Sequence, residues 1–226
     1  MSAVQLPLAL PARTALGRDA FFVSTSNAAA LAMVDDWANW PGGKLAVTGG
    51  AGSGKTHLAH VWAEATGAPV IEAAALTEAE VPALAAGGFA AVEGVDALAE
   101  LEDPRPREAA LFHLHNMLAA TGGRLLVTGQ GAPLTWRLAT ADLASRLQSA
   151  AHVALGAPDD ALLMAVIVKV ATDRQMEIDP RLPEFLARRL DRSLSMVART
   201  VETLDAAALA RRRRITVPFA REVLGL

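Results

Sequence analysis

Residues Gly49 to Thr56 read Gly-Gly-Ala-Gly-Ser-Gly-Lys-Thr, a complete phosphate-binding loop between the apolar run Leu45-Ala46-Val47 and the helical pattern from His57 to Ala65. Glycines let the backbone turn its N–H groups onto a polyphosphate with no Cβ in the way, and the helix that follows adds the positive end of its dipole. The spacing therefore predicts nucleotide binding by Gly50, Ala51, Gly52, Ser53 and Gly54, with Lys55 reaching the β- and γ-phosphates and Thr56 ligating Mg²⁺. ADP and ATP are equally open at this stage.

A second acidic motif has to narrow the chemistry, because phosphate loops serve kinases, GTPases and motor ATPases alike. Phe89-Ala90-Ala91-Val92 reads as a buried strand ending in Glu93, which is placed to hold Mg²⁺ through water. The next position, where an ATPase usually carries the acid that polarises the attacking water, is Gly94, and Asp96 follows in a different register. Weak intrinsic hydrolysis is the expectation. Thr128 closes the run from Arg124, at the carboxyl edge of a strand where open α/β sheets bind ligands. Its hydroxyl either senses the γ-phosphate or merely ends the strand.

These groups need a scaffold. Apolar runs at Leu45–Thr48, Pro69–Ala73, Phe89–Glu93, Leu125–Thr128 and His152–Leu155 predict five strands. Helical patterns at Asn27–Trp37, capped by Ser26 or Asn27, at His57–Ala65, near Thr77–Ala86 and at Arg107–Ala120 alternate with them. The alternation predicts an α/β fold, a parallel five-stranded sheet with helices on both faces, spanning 17–156. Trp37 and Trp40 are expected to pack the first helix onto the sheet. After Gly156 the pattern is wholly helical, at Asp159–Asp173, Pro180–Leu190, Ser193–Ala210 and Pro218–Leu224, which predicts a small helical lid over 157–226. Asp179-Pro180 and Thr216 with Pro218 read as caps followed by first-turn prolines. Residues 1–16, punctuated by Pro7 and Pro11, read as a flexible tail.

Composition excludes several classes. With no cysteine there are no disulfides or thiolate metal sites. The longest purely apolar stretch, Ala161 to Val168, is too short to span a bilayer, and no basic residue precedes Arg13 as a secretory signal would require. A cytoplasmic protein with no membrane partner is expected. A formal net charge of −3 leaves no broad surface for gripping DNA. His57 and His60, like His113 and His115, lack the further ligands a metal site needs. Arg211 to Arg214 read as a solvated helix end whose cations complement the dipole.

The order of the phosphate loop, the acidic strand, Thr128, Asp-Leu-Ala-Ser-Arg-Leu at 142–147 and Asp191-Arg192-Ser193 resembles the AAA+ family, and within it DnaA and its shorter relatives, the Hda family. Phe21-Phe22-Val23 with Asn27, Gly-Lys-Thr-His-Leu at 54–58 and Ile-Thr-Val-Pro-Phe near the end extend the likeness over about 16–226. The resemblance implies that Arg146 is an arginine finger acting in trans on a neighbour's nucleotide and that Arg192 touches the protein's own. It also implies that Phe22, Val23 and Asn27 frame the adenine and that His57 adjoins the site.

Gln5-Leu6-Pro7-Leu8-Ala9-Leu10 is similar to the short peptide with which Hda proteins occupy the DNA polymerase III sliding clamp. Gln5, Leu6, Pro7, Leu8 and Leu10 are accordingly the expected clamp contacts, the leucines filling an apolar groove and the glutamine amide meeting its polar rim. The sequence stops at Leu226, where the initiator would continue into a helix-turn-helix domain, so DNA is expected to be reached only through the clamp.

The function so implied is a nucleotide-bound regulator that stimulates hydrolysis of DnaA-bound ATP and represses re-initiation of replication. The alternative is an autonomous AAA+ ATPase such as a helicase loader, which Gly94 disfavours. A small-molecule kinase lacks an acceptor signature. Self-association is left open.

Overall fold

The structure is a computed structural model that describes residues 17–226. Its elements follow the predicted alternation. In chain order they are α1 (Ala28–Asp35), β1 (Lys44–Thr48), α2 (Lys55–Thr66), β2 (Val70–Glu72), α3 (Val81–Ala85), β3 (Phe89–Glu93), α4 (Arg105–Ala120), β4 (Arg124–Gly129), α5 (Ala141–Gln148) and β5 (Ala151–Ala154). The strands form one parallel sheet in the order β2-β3-β4-β1-β5.

A parallel sheet with helices on both faces must bury alternate residues in opposite directions, and these strands do so. Ala46, Ala90, Val92, Leu125 and Val127 face a core built with α3, α4 and α5. Leu45, Val47, Ala91, Leu126 and Val153 face the other, under α1 and α2. In that second core Trp40 stacks on Trp62 at 5.2 Å and Trp37 meets the edge of Phe89 at 5.4 Å. The two tryptophans thus pack the segment after α1 onto α2 and the sheet.

Helix α5 was not marked by the spacing. Leu143 and Leu147, one turn apart, are fully buried and set a narrow apolar stripe, while Asp142, Ser145 and Arg146 face outward. The fully buried carboxylate of Glu108 fixes its approach, accepting from the Ala139 and Thr140 amides at 2.8 and 2.7 Å. Buried carboxylates are tolerated when charge-assisted hydrogen bonds replace their hydration.

Four helices follow: α6 (Asp160–Asp173), α7 (Leu182–Ala187), α8 (Leu194–Arg211) and α9 (Val217–Leu224). They share a separate core that includes Leu163, Ile167, Leu186, Val201 and Phe219. Thr216 caps α9 with Pro218 in the first turn, as expected. Asp179-Pro180 does not start α7. Asp179 closes a turn onto the Arg181 amide, and the helix begins at Leu182 with Pro183 in its first turn. The Arg211–Arg214 run is drawn into ion pairs, Arg211 and Arg213 with Glu222 and Arg214 with Glu177. Among the described residues no helix is long and apolar enough to cross a membrane, and no cluster of metal-ligating side chains occurs.

Candidate functional site

The phosphate loop joins β1 to α2 at the carboxyl edge of the sheet, where strand ends leave a crevice. Lys55 Nζ folds back on the loop, donating to the Gly49 and Gly50 carbonyls at 2.9 Å each. Burial lowers its pKa, and the nearby charges of Asp96 and Glu93 partly offset that effect. An ammonium so placed lacks a strong counter-charge, which a polyphosphate would supply. The Ser53 hydroxyl is buried with no hydrogen-bond partner, while Ala51 and Thr56 are exposed.

Glu93 ends β3 beside the loop. Burial pushes its carboxyl pKa up, the Thr56 hydroxyl opposes the shift by hydrogen bonding, and the charge of Glu72 adds to it. One oxygen, Oε1, is buried without a partner. A buried carboxylate with an unsatisfied lone pair next to the loop threonine fits Mg²⁺ held partly through water, the expected pairing of Thr56 with Glu93.

Gly94 takes φ 68°, ψ 38°, a left-handed conformation that L side chains adopt only with strain. The backbone therefore favours glycine where a hydrolytic acid would otherwise stand. Its amide donates to Thr128 Oγ1 at 3.2 Å, so the buried Thr128 hydroxyl is tied to the turn after Glu93. Asp96 sits in the 3₁₀ turn that follows, close to Gly129 at the tip of β4.

The segment expected to frame the adenine is held by side-chain clasps. Asn27 occupies the N-cap position of α1, but its side chain does not cap the helix. Its amide donates to the Phe22 carbonyl at 2.9 Å and its oxygen accepts from the Ser24 amide at 2.9 Å. The loop is closed around Phe22 and Val23, which are 48% and 49% exposed, enough for two apolar side chains to take a flat ligand. His57 turns toward the segment before α1, with Nε2 3.3 Å from the Gly17 carbonyl and the ring edge-on to Phe21. Burial lowers its pKa, with the Gly17 carbonyl partly opposing the shift, and the ring braces residues 17–21.

This segment also meets the start of the lid. Thr25 donates to Asp159 at 3.0 Å, and the Ser26 carbonyl accepts from the Gly156 amide. Asp159 caps α6 through the Leu162 amide at 2.8 Å, the leading cause of its lowered pKa.

The two arginines implied by resemblance are placed differently. Arg192 pairs with Asp160 at 2.6 Å and donates to the Pro158 carbonyl at 3.1 Å, so its guanidinium is engaged at the linker. The lid residues after it touch the loop: the Leu194 amide donates to the Gly52 carbonyl at 2.8 Å, with Ser193 and Ser195 on either side. Sequence reasoning missed this contact. The only local signal was a serine at the mouth of a helix.

Arg146 is exposed in the last turn of α5, five residues before β5 begins at Ala151 opposite Leu45 near the start of β1, and so lies at the amino edge of the sheet. That is the end opposite the phosphate loop. It lies close enough to Lys44 and His115 that its charge contributes to lowering both pKa values, behind the larger effect of burial. Among the described residues its guanidinium has no ion pair or hydrogen bond. Gln5, Leu6, Pro7, Leu8 and Leu10 lie outside the described residues.

Residues 160–224 match the model of the Hda lid domain. The structure resembles domain III of the Thermotoga maritima replication initiation protein DnaA, with a TM-score of 0.72 and 19% identity over 91% of this chain and 93% of that one. It resembles AMPPCP-bound DnaA from Aquifex aeolicus, with a TM-score of 0.64 and 17% identity over 86% of this chain and 67% of that one. The Thermotoga maritima RuvB branch migration motor gives 0.70 and 16%, over 94% and 72%. At these identities the likeness carries the fold alone, a five-stranded parallel sheet followed by a helical lid. The Hda lid model reaches the helical part of the chain alone, residues 160–224.

Proposed function

We propose that this protein is a nucleotide-bound, DnaA-related AAA+ regulator of replication that supplies Arg146 in trans to ATP held by DnaA. The observation that carries the reading is the position of Arg146. An exposed guanidinium at the amino edge of the sheet, without a partner among the described residues, is at the far end from its own phosphate loop. It is available to a second molecule's nucleotide and unsuited to its own. The left-handed Gly94 supports the same division of labour, since it puts no acidic side chain at the position that usually activates water.

In this reading ADP or ATP sits on Gly50 to Thr56, with the base against Phe22 and Val23 and Thr128 near the terminal phosphate. Thr56 and Glu93 would hold Mg²⁺, which would offset the negative charge of the polyphosphate. The chain's own residues bind and orient the nucleotide, and the bound protein presents α5. An arginine finger stabilises charge developing on the transferring phosphoryl group, with rate effects of about 10³–10⁵ in known cases. Residues 1–16 tether the protein to the sliding clamp through Gln5, Leu6, Pro7, Leu8 and Leu10, residues 17–156 and 157–226 acting as body and lid. DNA is reached through the clamp.

The test is hydrolysis of DnaA-bound ATP with this protein and DNA-loaded clamp, each omitted in turn. Hydrolysis that needs both supports the reading. Rapid turnover by the isolated protein would point to the autonomous ATPase instead. Deleting residues 1–10 should abolish clamp binding, and with it the clamp-dependent hydrolysis, and leave the melting temperature unchanged; retained clamp binding would discredit the tail motif.

A further inference from the structure

Two lid serines stand over the phosphate loop, and the lid arginine does not. Gly52 is the point of contact. The Leu194 amide donates to its carbonyl at 2.8 Å, and a Cβ on Gly52 would lie 2.8 Å from Ser195 Oγ and closer still to Ser193 Oγ. The two hydroxyls are 3.0 Å apart and hydrogen-bonded to each other. Ser193 also caps α8 through the Met196 amide, so the first turn of an 18-residue helix is pinned against the loop. Within the loop, the Ser53 hydroxyl is buried with no partner, a polar group that the loop itself does not satisfy. Arg192, one residue earlier, is held at the linker by Asp160 and the Pro158 carbonyl.

We propose that the lid meets the bound polyphosphate through the hydroxyls of Ser193 and Ser195, with Arg192 serving instead to fasten the linker to α6. The proposal rests on the reading of Gly50 to Thr56 as a nucleotide site and changes which lid residues belong to it. Neutral donors at this position place no fixed cation above the loop. The lid then closes on nucleotide through hydrogen bonds and the positive end of α8.

The experiment uses the full chain, with a fluorescent ADP analogue as ligand, adenosine as a phosphate-free control and thermal melting alongside. Ser195 lies in the first turn of α8, where a carboxylate favours the helix, so a purely structural role predicts that Ser195→Asp holds or raises the melting temperature and binds ADP normally. Phosphate contact predicts the same melting behaviour with ADP bound on the order of tenfold more weakly and adenosine unaffected, because an anion would face an anion. Ser195→Ala should lose roughly three- to tenfold through one hydrogen bond. Arg192→Ala should keep ADP affinity within about twofold, as expected of a residue away from the ligand. Normal ADP binding by Ser195→Asp, or a large loss with Arg192→Ala, would overturn the lid assignment while leaving the nucleotide site standing. Failure of the wild-type chain to bind ADP would remove both.

Discussion

Replacing Arg146 by alanine separates what the protein does to a partner from what it does for itself. The side chain is exposed and among the described residues makes no ion pair or hydrogen bond, while the stripe that anchors α5 runs through Leu143 and Leu147, both buried. A surface change of this kind falls within about 0.5 kcal/mol, or roughly 1–2 °C in melting temperature for a chain of this size. Lys44 has its pKa lowered by burial first and then by Arg146 and Arg124, so removing one cation relieves repulsion and sets the sign of any small change as favourable. Loss of a finger, in contrast, costs about 10³-fold or more in rate, which is about 4 kcal/mol of transition-state stabilisation. Single-turnover hydrolysis of ATP preloaded on DnaA, in the presence of DNA-loaded clamp, reads that difference directly. Arg146→Lys should recover little, since an ammonium lacks the planar fork. Equal rates for wild type and Arg146→Ala would refute the reasoning, and a fall in melting temperature of many degrees would show that the residue is structural.

The remaining expectations concern the protein's own site and the support of α5. Lys55→Ala should eliminate nucleotide binding and with it the thermal stabilisation that ADP gives by mass action, so a preserved melting shift would refute the loop assignment. Glu93 has a pKa raised by burial, which means that its ionised form costs stability above the folded pKa and that the cost disappears as pH falls through that value toward the ordinary carboxylate range. Glu93→Gln should therefore melt higher than wild type at alkaline pH without nucleotide, converge with it on acidification, and lose Mg²⁺-dependent affinity. A pH-independent difference would mean that ionisation is not the cause. Glu108→Ala would remove the acceptor of the Ala139 and Thr140 amides at the entry to α5 and should cost about 1–3 kcal/mol by chemical denaturation. A neutral result would show that α5 is positioned by its leucines alone.

Much of this molecule is legible in one dimension because the signals are local. A glycine-rich loop between an apolar run and a helix can only be a strand–loop–helix, and the five strands appear within a residue or two of their sequence positions because both sheet faces are buried and the runs are continuous. Helix α5 escaped because its apolar stripe is only Leu143 and Leu147. Its placement depends on Glu108, more than thirty positions earlier in the chain. The cap expected at Asp179-Pro180 failed for a related reason, as the Asp179 amide donates to the Ile215 carbonyl from across the lid.

The glycine-rich loop at Gly49–Thr56, the acid at Glu93, the glycine in place of an acid at Gly94 and the change from α/β to helical texture are all legible along the chain, since each is a matter of residue type at fixed short spacing. Tertiary structure decided the rest. It placed Arg146 at the opposite edge from the loop, turned Arg192 toward Asp160 and His57 toward Gly17, and brought Ser193 to Ser195 over Gly52. Spacing along a chain sets which residues share a helical face or a strand edge. Which distant side chain or backbone group a given side chain finally meets is set by how the helices pack, and only the folded molecule holds that information.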